Sequence, residues 1–469
     1  MFVFVVLVAI VALGLAADPS APVADADKSK VKTGGRAVAH HAGGKRTAAP
    51  NAPTAVARKI GQPAREPTLG LTRKGDIFYS ALETNFVNDV LHSTNGGRTW
   101  KNVSPKIGER NRHFVSFDPY VYVDERTERL YTIDLTVACS YLSFSEDKGE
   151  TWTTNPLACG RPVNDHQTLF AGPPSITPIE ANILYYCWND VGSSSCSKSV
   201  DGGLSFSPTG SPAFPGGDPN GEGGFFGTDE LCGGLHGHGV VDDEGTVYLP
   251  REYCSRPYLG ISKDEGLTWT RVMVADIRML VGATDPSVDV DKKGNIYYAF
   301  VGANGLPYLV TSKDGGETWS KLLMIGAPGI TEANLATLDV GKPGSVAIVY
   351  MASENSPYQD CKDECDTALY QKVTWNGYMT MTADALAKSP VFYSGTVNHA
   401  SDPVKRGRCG PGRCGNQVLD FLDVVVGFDG VPYGAFVDAC TQVCAGPTGL
   451  ADLGNDGLVG MLVGGPSLR

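Results

Sequence analysis

Five copies of one short turn constrain what this chain can fold into. They read Ser93-Thr94-Asn95-Gly96-Gly97-Arg98-Thr99-Trp100, Ser145-Glu146-Asp147-Lys148-Gly149-Glu150-Thr151-Trp152, Ser199-Val200-Asp201-Gly202-Gly203-Leu204-Ser205-Phe206, Ser262-Lys263-Asp264-Glu265-Gly266-Leu267-Thr268-Trp269 and Ser312-Lys313-Asp314-Gly315-Gly316-Glu317-Thr318-Trp319. The pattern is Ser-x-Asp-x-Gly-x-Thr-Trp, with Asn95 in the first copy and Ser205-Phe206 in the third. The copies begin 52, 54, 63 and 50 residues apart, a period that marks a tandem-repeat architecture. The turn chemistry is local. Asp or Asn accepts hydrogen bonds from backbone just ahead of it. Gly supplies the positive φ of a tight hairpin, and the indole is large enough to fill a gap between neighbouring units.

A β-hairpin precedes each box. The paired segments are 68–71 with 77–82, 120–123 with 130–135, 168–171 with 182–188, 240–241 with 246–249, and 287–290 with 295–301. Two more units keep the hairpin without the box, at 335–340 with 345–351 and at 418–427 with 431–437. In the first of these, 367–374 reads as a strand ending in a worn box, Trp375-Asn376-Gly377; 457–463 is the last strand of the chain. Short strands at regular spacing with turn signals between them define an all-β fold.

The boxes resemble the Asp-box (BNR) repeats of sialidases and related β-propellers. In that family the box occupies the turn between the third and fourth strands of each blade, on the face opposite the binding site. The resemblance implies a propeller of four-stranded antiparallel blades. The unit count points to seven blades, with the six of known sialidases as runner-up. The last unit has three strands, and an unclosed ring keeps an exposed edge. Thr54–Pro63 is therefore expected to supply the missing outer strand of the seventh blade.

Known sialidases hold a sialic acid carboxylate with three arginines, attack with a Tyr activated by a Glu, and use an Asp as acid/base. Most other glycosidases use two carboxylates. The family's first arginine opens an Arg-Ile-Pro motif, and Arg65-Glu66-Pro67 is similar in position, with Glu66 in place of Ile. Carried over, the resemblance implies Arg65 as a ligand for an anionic substrate, Asp118 or Asp165 as acid/base, and Tyr253 with Glu252 as the nucleophile pair.

In a propeller, the loops between blades and those between second and third strands share the face opposite the boxes. All twelve cysteines fall in those loops. An even number in an exported chain implies disulfides, and the expected pairs are Cys232–Cys254, Cys187–Cys196, Cys361–Cys365, Cys409–Cys414, Cys440–Cys444 and Cys139–Cys159. The long loops 213–234 and 383–416 lie on the same face, where binding usually resides.

The first strands also begin there, close to the axis, and their leading residues are polar: Arg65-Glu66, Asp118, Asp165-His166, His236, His238, Asp285, Glu332 with Asn334, and Asp420 with Asp423. Such a ring suits an acid/base or cation site. It is equally what strand ends meeting water in a channel look like. Asp229-Glu230 and Arg251-Glu252-Tyr253 flank the ring, and Arg161, Arg278, Arg406 and Arg408 lie in between-blade loops. Guanidinium forks match carboxylates.

Three functions stay open on these residues: a sialidase-type hydrolase, a non-catalytic binder of a glycan or glycoprotein, and a metal-dependent enzyme using His166, His236 and His238. No cofactor is expected, with calcium or a transition metal as the alternative. The acidic loop 360–366 and Asp289-x-Asp291 lack full calcium-loop spacing, and the latter reads as a hairpin turn.

Residues 2–15 are almost wholly apolar and are followed by Ala16-Ala17, which reads as a signal peptide over 1–17 and a secreted product. Residues 18–53 read as a disordered segment, with His40-His41 in a solvated tail. A single propeller domain is expected over 54–469, as a monomer. The net charge is −12. Setting aside the basic stretch up to Ile60 leaves 31 basic against 48 acidic residues, which argues against nucleic acid and anionic membranes as partners.

Overall fold

The structure is a computed structural model. It describes residues 32–107, 112–113, 115–136, 140–158, 164–190, 192–216, 232, 234–280, 285–361, 367–399, 401–409, 418–440 and 454–469. The expected signal peptide lies outside these residues. Among them, no helix is long and apolar enough to cross a membrane.

The fold is all-β. Five sheets are four-stranded antiparallel meanders, each in simple chain order, over 69–102, 119–158, 165–208, 240–273 and 287–324. A larger sheet is built on Glu332–Val340, Val346–Ser353, Thr374–Thr382 and Phe392–Thr396. Another is built on Asp423–Val426, Pro432–Asp438 and Asp456–Val463, and Thr54–Pro63 is its fourth strand. The first strands of successive sheets touch in chain order, and Asp423–Val426 meets Leu69–Leu71 to shut the wheel. This is the propeller arrangement, and the closing strand is the one expected: Val463 stands opposite Thr54 and Asp456 opposite Pro63.

The boxes sit where the resemblance puts them, between third and fourth strands. In the second copy Ser145 Oγ donates to Asp147 Oδ1 at 2.8 Å and accepts Gly149 N–H at 2.7 Å. Asp147 in turn accepts Thr151 N–H at 2.8 Å and the Thr151 hydroxyl at 2.6 Å. Those two Thr151 bonds, followed by Ser145, hold the Asp147 carboxyl down to about 2. The position before the Gly that all five boxes share is left-handed in every copy: Gly96, Lys148, Gly202, Glu265 and Gly315 have φ of +68, +63, +73, +59 and +73°. Three copies use Gly there, as the strain argument requires. The two exceptions send their side chains across to another blade. Lys148 Nζ reaches Asp76 at 2.6 Å, and Glu265 reaches the turn at 175–177. The tryptophans pack between blades as expected. Trp152 Nε1 donates to Val103 O at 2.7 Å, and Trp100 packs into the cluster that joins Tyr79 to Ala435 and Val459 of the closing sheet.

Three expectations are corrected. Trp375-Asn376-Gly377 is no worn box; it lies inside the strand Thr374–Thr382, and Thr367–Lys372 is a 3-10 helix. The box position of that sheet is held by Thr382-Ala383-Asp384. Thr382 Oγ1 donates to Asp384 Oδ1 at 2.6 Å, and Asp384 accepts Val391 N–H at 3.1 Å. Ser has become Thr and the turn is longer, so the pattern is hidden. Second, the stretch 383–416 contains the outer strand Phe392–Thr396 rather than one long loop. Third, residues 32–53 of the basic N-terminal segment, the part the structure describes, are folded onto the wheel rather than a solvated tail. Lys32–Arg36 pairs with Thr54–Pro63, and Val38–His41 pairs with Phe392–Thr396. His40 is fully buried, with Nε2 2.7 Å from Ser394 Oγ. Composition described the segment's polarity but could not register the free edges of two blades, to which its backbone pairs.

At the box end of the axis, the half-buried carboxyls of Asp289 and Asp339 face each other. Burial, then their mutual proximity, pushes Asp289 far up, and burial also raises Asp339; two carboxylates this close cannot both ionise. Arg469 lies over this end, donating to Glu125 Oε1 at 2.7 Å and Val426 O at 3.0 Å. Asp291 is the hairpin turn expected, accepting Lys293 N–H at 2.8 Å.

Candidate functional site: the axial mouth opposite the boxes

Because the boxes close the third strands, antiparallel pairing makes each first strand begin on the opposite face. Its leading residues therefore collect around one end of the axis. Asp118, ahead of Pro119–Val123, accepts His166 N–H on Oδ2 at 2.9 Å. His166 takes φ +52° at a register break in Asp165–Gly172, an unusual backbone for a non-Gly residue. Its Nε2 contacts the Asp285 carboxylate. The next residue, Gln167, donates from Nε2 to Asp118 O.

Aromatic rings complete the mouth. His166 stands edge-on to Phe421 at 5.5 Å and to His236 at 6.1 Å between centroids. His238 stands edge-on to Phe421 at 5.9 Å and to Tyr120 at 5.1 Å. His238 Nδ1 is 3.7 Å from Asp423 Oδ1. Asp423 also accepts Leu69 N–H at 2.7 Å and Val424 N–H at 2.8 Å. Glu66 accepts Asp420 N–H at 3.1 Å. So Asp118, His166, His236, His238, Asp285, Asp420 and Glu66, singled out from the sequence, are all drawn into hydrogen bonds or ring contacts around the mouth.

The environment drives these groups apart. Burial is the largest influence on His166 and pulls it down, but Asp285, by charge and hydrogen bond, then Asp118 and Asp420, lift it to about 10. It is an imidazolium at neutral pH. Burial, then the His166 charge, lowers His236 far below its ordinary value and His238 to about 3. Burial pushes Asp423 up to about 8, against the pull of the two N–H donors. Near pH 7 the 3.7 Å His238–Asp423 contact is thus between neutral groups, not an ion pair. Among the described residues, no group of three or more His, Cys, Asp or Glu is placed to hold a metal ion.

His166 gives a pH prediction. A raised folded-state pKa means its stabilisation is complete below the ordinary value near 6.5 and lost as pH rises through about 10. His166→Gln is expected to cost roughly 2 kcal/mol at pH 7 by stranding Asp285, with the gap to wild type closing toward pH 10. Urea midpoints at both pH values measure this.

The other candidates make other contacts, although Arg251 pairs through its backbone with His236 of the mouth. Arg251 is buried and spends its guanidinium on Ser194 Oγ at 2.7 Å, Gly234 O at 3.0 Å and Gly192 O at 3.1 Å. Burial pulls it to about 10. Tyr253 is buried between Phe214 and Tyr258, and its hydroxyl donates to Pro215 O at 3.0 Å. Glu252 is buried, with its N–H on Leu235 O at 3.1 Å. Asp165 is exposed, opposite Asn189 in the ladder. Arg65 is half-buried; burial lowers it and Glu66 raises it. Arg408 lies over the Tyr370 ring at 5.3 Å. Asp229, Glu230 and Arg161 lie outside the described residues. Gln167, Asn189, Tyr120 and Phe421 were missed. They are ordinary residues in strand and loop text, and only Phe421, lodged between Asp420 and Asp423, had a signal beside it.

Two expected disulfides are present, Cys187–Cys196 and Cys232–Cys254. Cys361, Cys409 and Cys440 are also disulfide-bonded. Cys139, Cys159, Cys365, Cys414 and Cys444 lie outside the described residues, so the remaining pairings do too.

Repeated Ser-Asp-Thr turns on closed four-stranded blades make this chain a β-propeller that carries Asp-box repeats. The family model for the BNR/Asp-box repeat matches residues 310–321. Among solved structures the chain is similar to the Hadza microbial sialidase Hz136, at 16% identity and TM-score 0.41, covering 61% of this chain and 63% of that one. It therefore spans less than two thirds of that protein. It is also similar to the intramolecular trans-sialidase from Ruminococcus gnavus in complex with oseltamivir carboxylate, at 13% identity and TM-score 0.41, covering 86% of this chain and 95% of that one. A third is a point mutant of the Aleuria aurantia lectin in complex with Fucα1-6GlcNAc, at 9% identity and TM-score 0.41, covering 67% of this chain and 91% of that one. No curated protein matches the sequence.

Proposed function

We propose that this protein is a secreted propeller that recognises a glycan at the disulfide-bearing face opposite its boxes, at the axial mouth. The observation that carries the reading is the junction of Asp118, His166, His236, His238, Asp285 and Phe421 around one end of the axis. Carboxylate, imidazole and amide groups beside aromatic rings are the chemistry that sugar hydroxyls and C–H faces require. Disulfides suit an extracellular setting.

A second reading is hydrolysis at the same mouth. Asp423, pushed up to about 8, stays a carboxylic acid near neutral pH. Glycosidases use such a group as the general acid. One panel tests both. Fluorogenic glycosides with sialic acid, galactose, fucose or N-acetylhexosamine ends are incubated with the full chain, and bound and cleaved sugar are read separately. Binding without cleavage supports recognition. Cleavage that Asp423→Asn reduces by about 100-fold or more supports hydrolysis. If nothing is bound or cleaved across the panel, the glycan reading is wrong.

A further inference from the structure

We propose that the axial mouth selects an uncharged pyranose, reading its hydroxyls with His236 Nε2, Gln167 Oε1 and Asn189 Nδ2. The inference rests on the glycan reading and narrows it to a ligand class. These three atoms are buried and have no hydrogen-bond partner, and each residue is at least nine-tenths buried, with relative exposures of 0% for His236, 3% for Gln167 and 1% for Asn189. The opposite end of each side chain is anchored. His236 Nδ1 lies 3.0 Å from Gly237 O, so Nδ1 carries the hydrogen and Nε2 is a bare acceptor. Gln167 Nε2 donates to Asp118 O, which leaves Oε1 as the free end. Asn189 Oδ1 accepts from Ser194 Oγ at 2.8 Å and from His236 N–H at 3.4 Å, which leaves Nδ2.

Buried polar atoms are normally paired, and unpaired ones mark places where something else completes the set. Two acceptors and one donor, each on a side chain anchored at its other end, match a cluster of hydroxyls, since each hydroxyl both donates and accepts. They match a carboxylate poorly, because it can only accept. The nearby cations are largely committed. Arg251 gives both terminal nitrogens to Ser194, Gly192 and Gly234, so only its Nε, like that of Arg65, is unpartnered, and the His166 charge faces Asp285 and Asp118. Arg65 has Glu66 as a neighbouring countercharge. The rings of Phe421 and Tyr120 against His166 and His238 supply an apolar wall for the C–H face of a sugar.

The test is a glycan array of the full chain, followed by calorimetric titration of the best neutral methyl glycoside into wild type, His236→Phe and Gln167→Met. Melting curves confirm that both variants fold, and two separate variants keep the test alive if one does not. Neutral ends should bind in preference to sialylated ones, and each folded variant should lose at least about tenfold in affinity. Preference for sialylated glycans overturns the inference and leaves the glycan reading standing. So does neutral binding that neither variant weakens. An array on which no glycan binds removes both.

Discussion

Deleting Thr54–Pro63 is expected to leave a chain that does not hold its wheel at 37 °C. The segment is the outer strand of a blade whose other three strands come from the far end of the chain, paired from Val463 opposite Thr54 to Asp456 opposite Pro63. Ala55, Ala57 and Ile60 are buried there, and Lys59 Nζ reaches Asp456 at 2.9 Å and Asp438 at 3.6 Å. The same strand carries Lys32–Arg36 on its outer edge, so the deletion also frees that segment. It exposes the edge of Asp456–Val463, a template for pairing with other chains. The loss of ladder bonds and buried side chains is on the order of a domain's whole stability, about 5–15 kcal/mol. Calorimetry should show no cooperative transition, or one lowered by more than about 10 °C, with aggregation on standing. A melt equal to wild type would falsify the closure.

The second large effect is expected at Glu265. Its carboxylate is wholly buried between two blades. It accepts N–H groups from Thr177 at 2.7 Å, Ile176 at 2.8 Å and Ser175 at 3.1 Å, along with the Thr177 hydroxyl and Lys198 Nζ at 2.7 Å. Glu265→Ala strands a lysine and three amides, which costs roughly 3–5 kcal/mol. At about 2 cal/mol/K of unfolding entropy per residue, that lowers the melting temperature of a chain this long by roughly 3–6 °C. Burial raises the Glu265 pKa, but Lys198, Thr177 and the amides outweigh it and hold the carboxyl at about 2. A lowered folded-state value means the stabilisation is complete above the ordinary pKa of about 4.3 and lost as pH falls through about 2. The gap between wild type and variant should therefore be full at pH 7 and shrink below pH 4. A gap that stays constant down to pH 2 would show that packing, not charge, is what Glu265 contributes.

Lys148 is the second instance of this device, with the sign of charge reversed. It reaches Asp76 from the same left-handed position. Nothing in the box pattern distinguishes a residue used this way from the glycine that usually stands there. The pattern reports only that the backbone must turn.

Much of the architecture was legible because it is local. A box needs only its own Ser, Asp, Gly and Thr, so five intact copies announced themselves. The strand pairs fell where alternating apolar runs and Gly turns placed them. Closure could be inferred from the three-stranded last unit. Where the local signal is diluted, at Thr382-Ala383-Asp384 or in the basic stretch before Thr54, the sequence points away from the structure found. The reason is that the ladder to Phe392–Thr396 and the burial of His40 against Ser394 depend on segments about 350 residues apart.

The sequence by itself determined the repeat, the hairpin register within each blade and the face on which polar strand starts gather, because hydrogen-bonded turns and period-two alternation are set by neighbours in the chain. Only the tertiary structure decided what those polar residues are. His166 and Asp285, His238 and Asp423, and His236 and Asn189 meet across blades. Their charge states follow from burial and from partners that no spacing along the chain encodes.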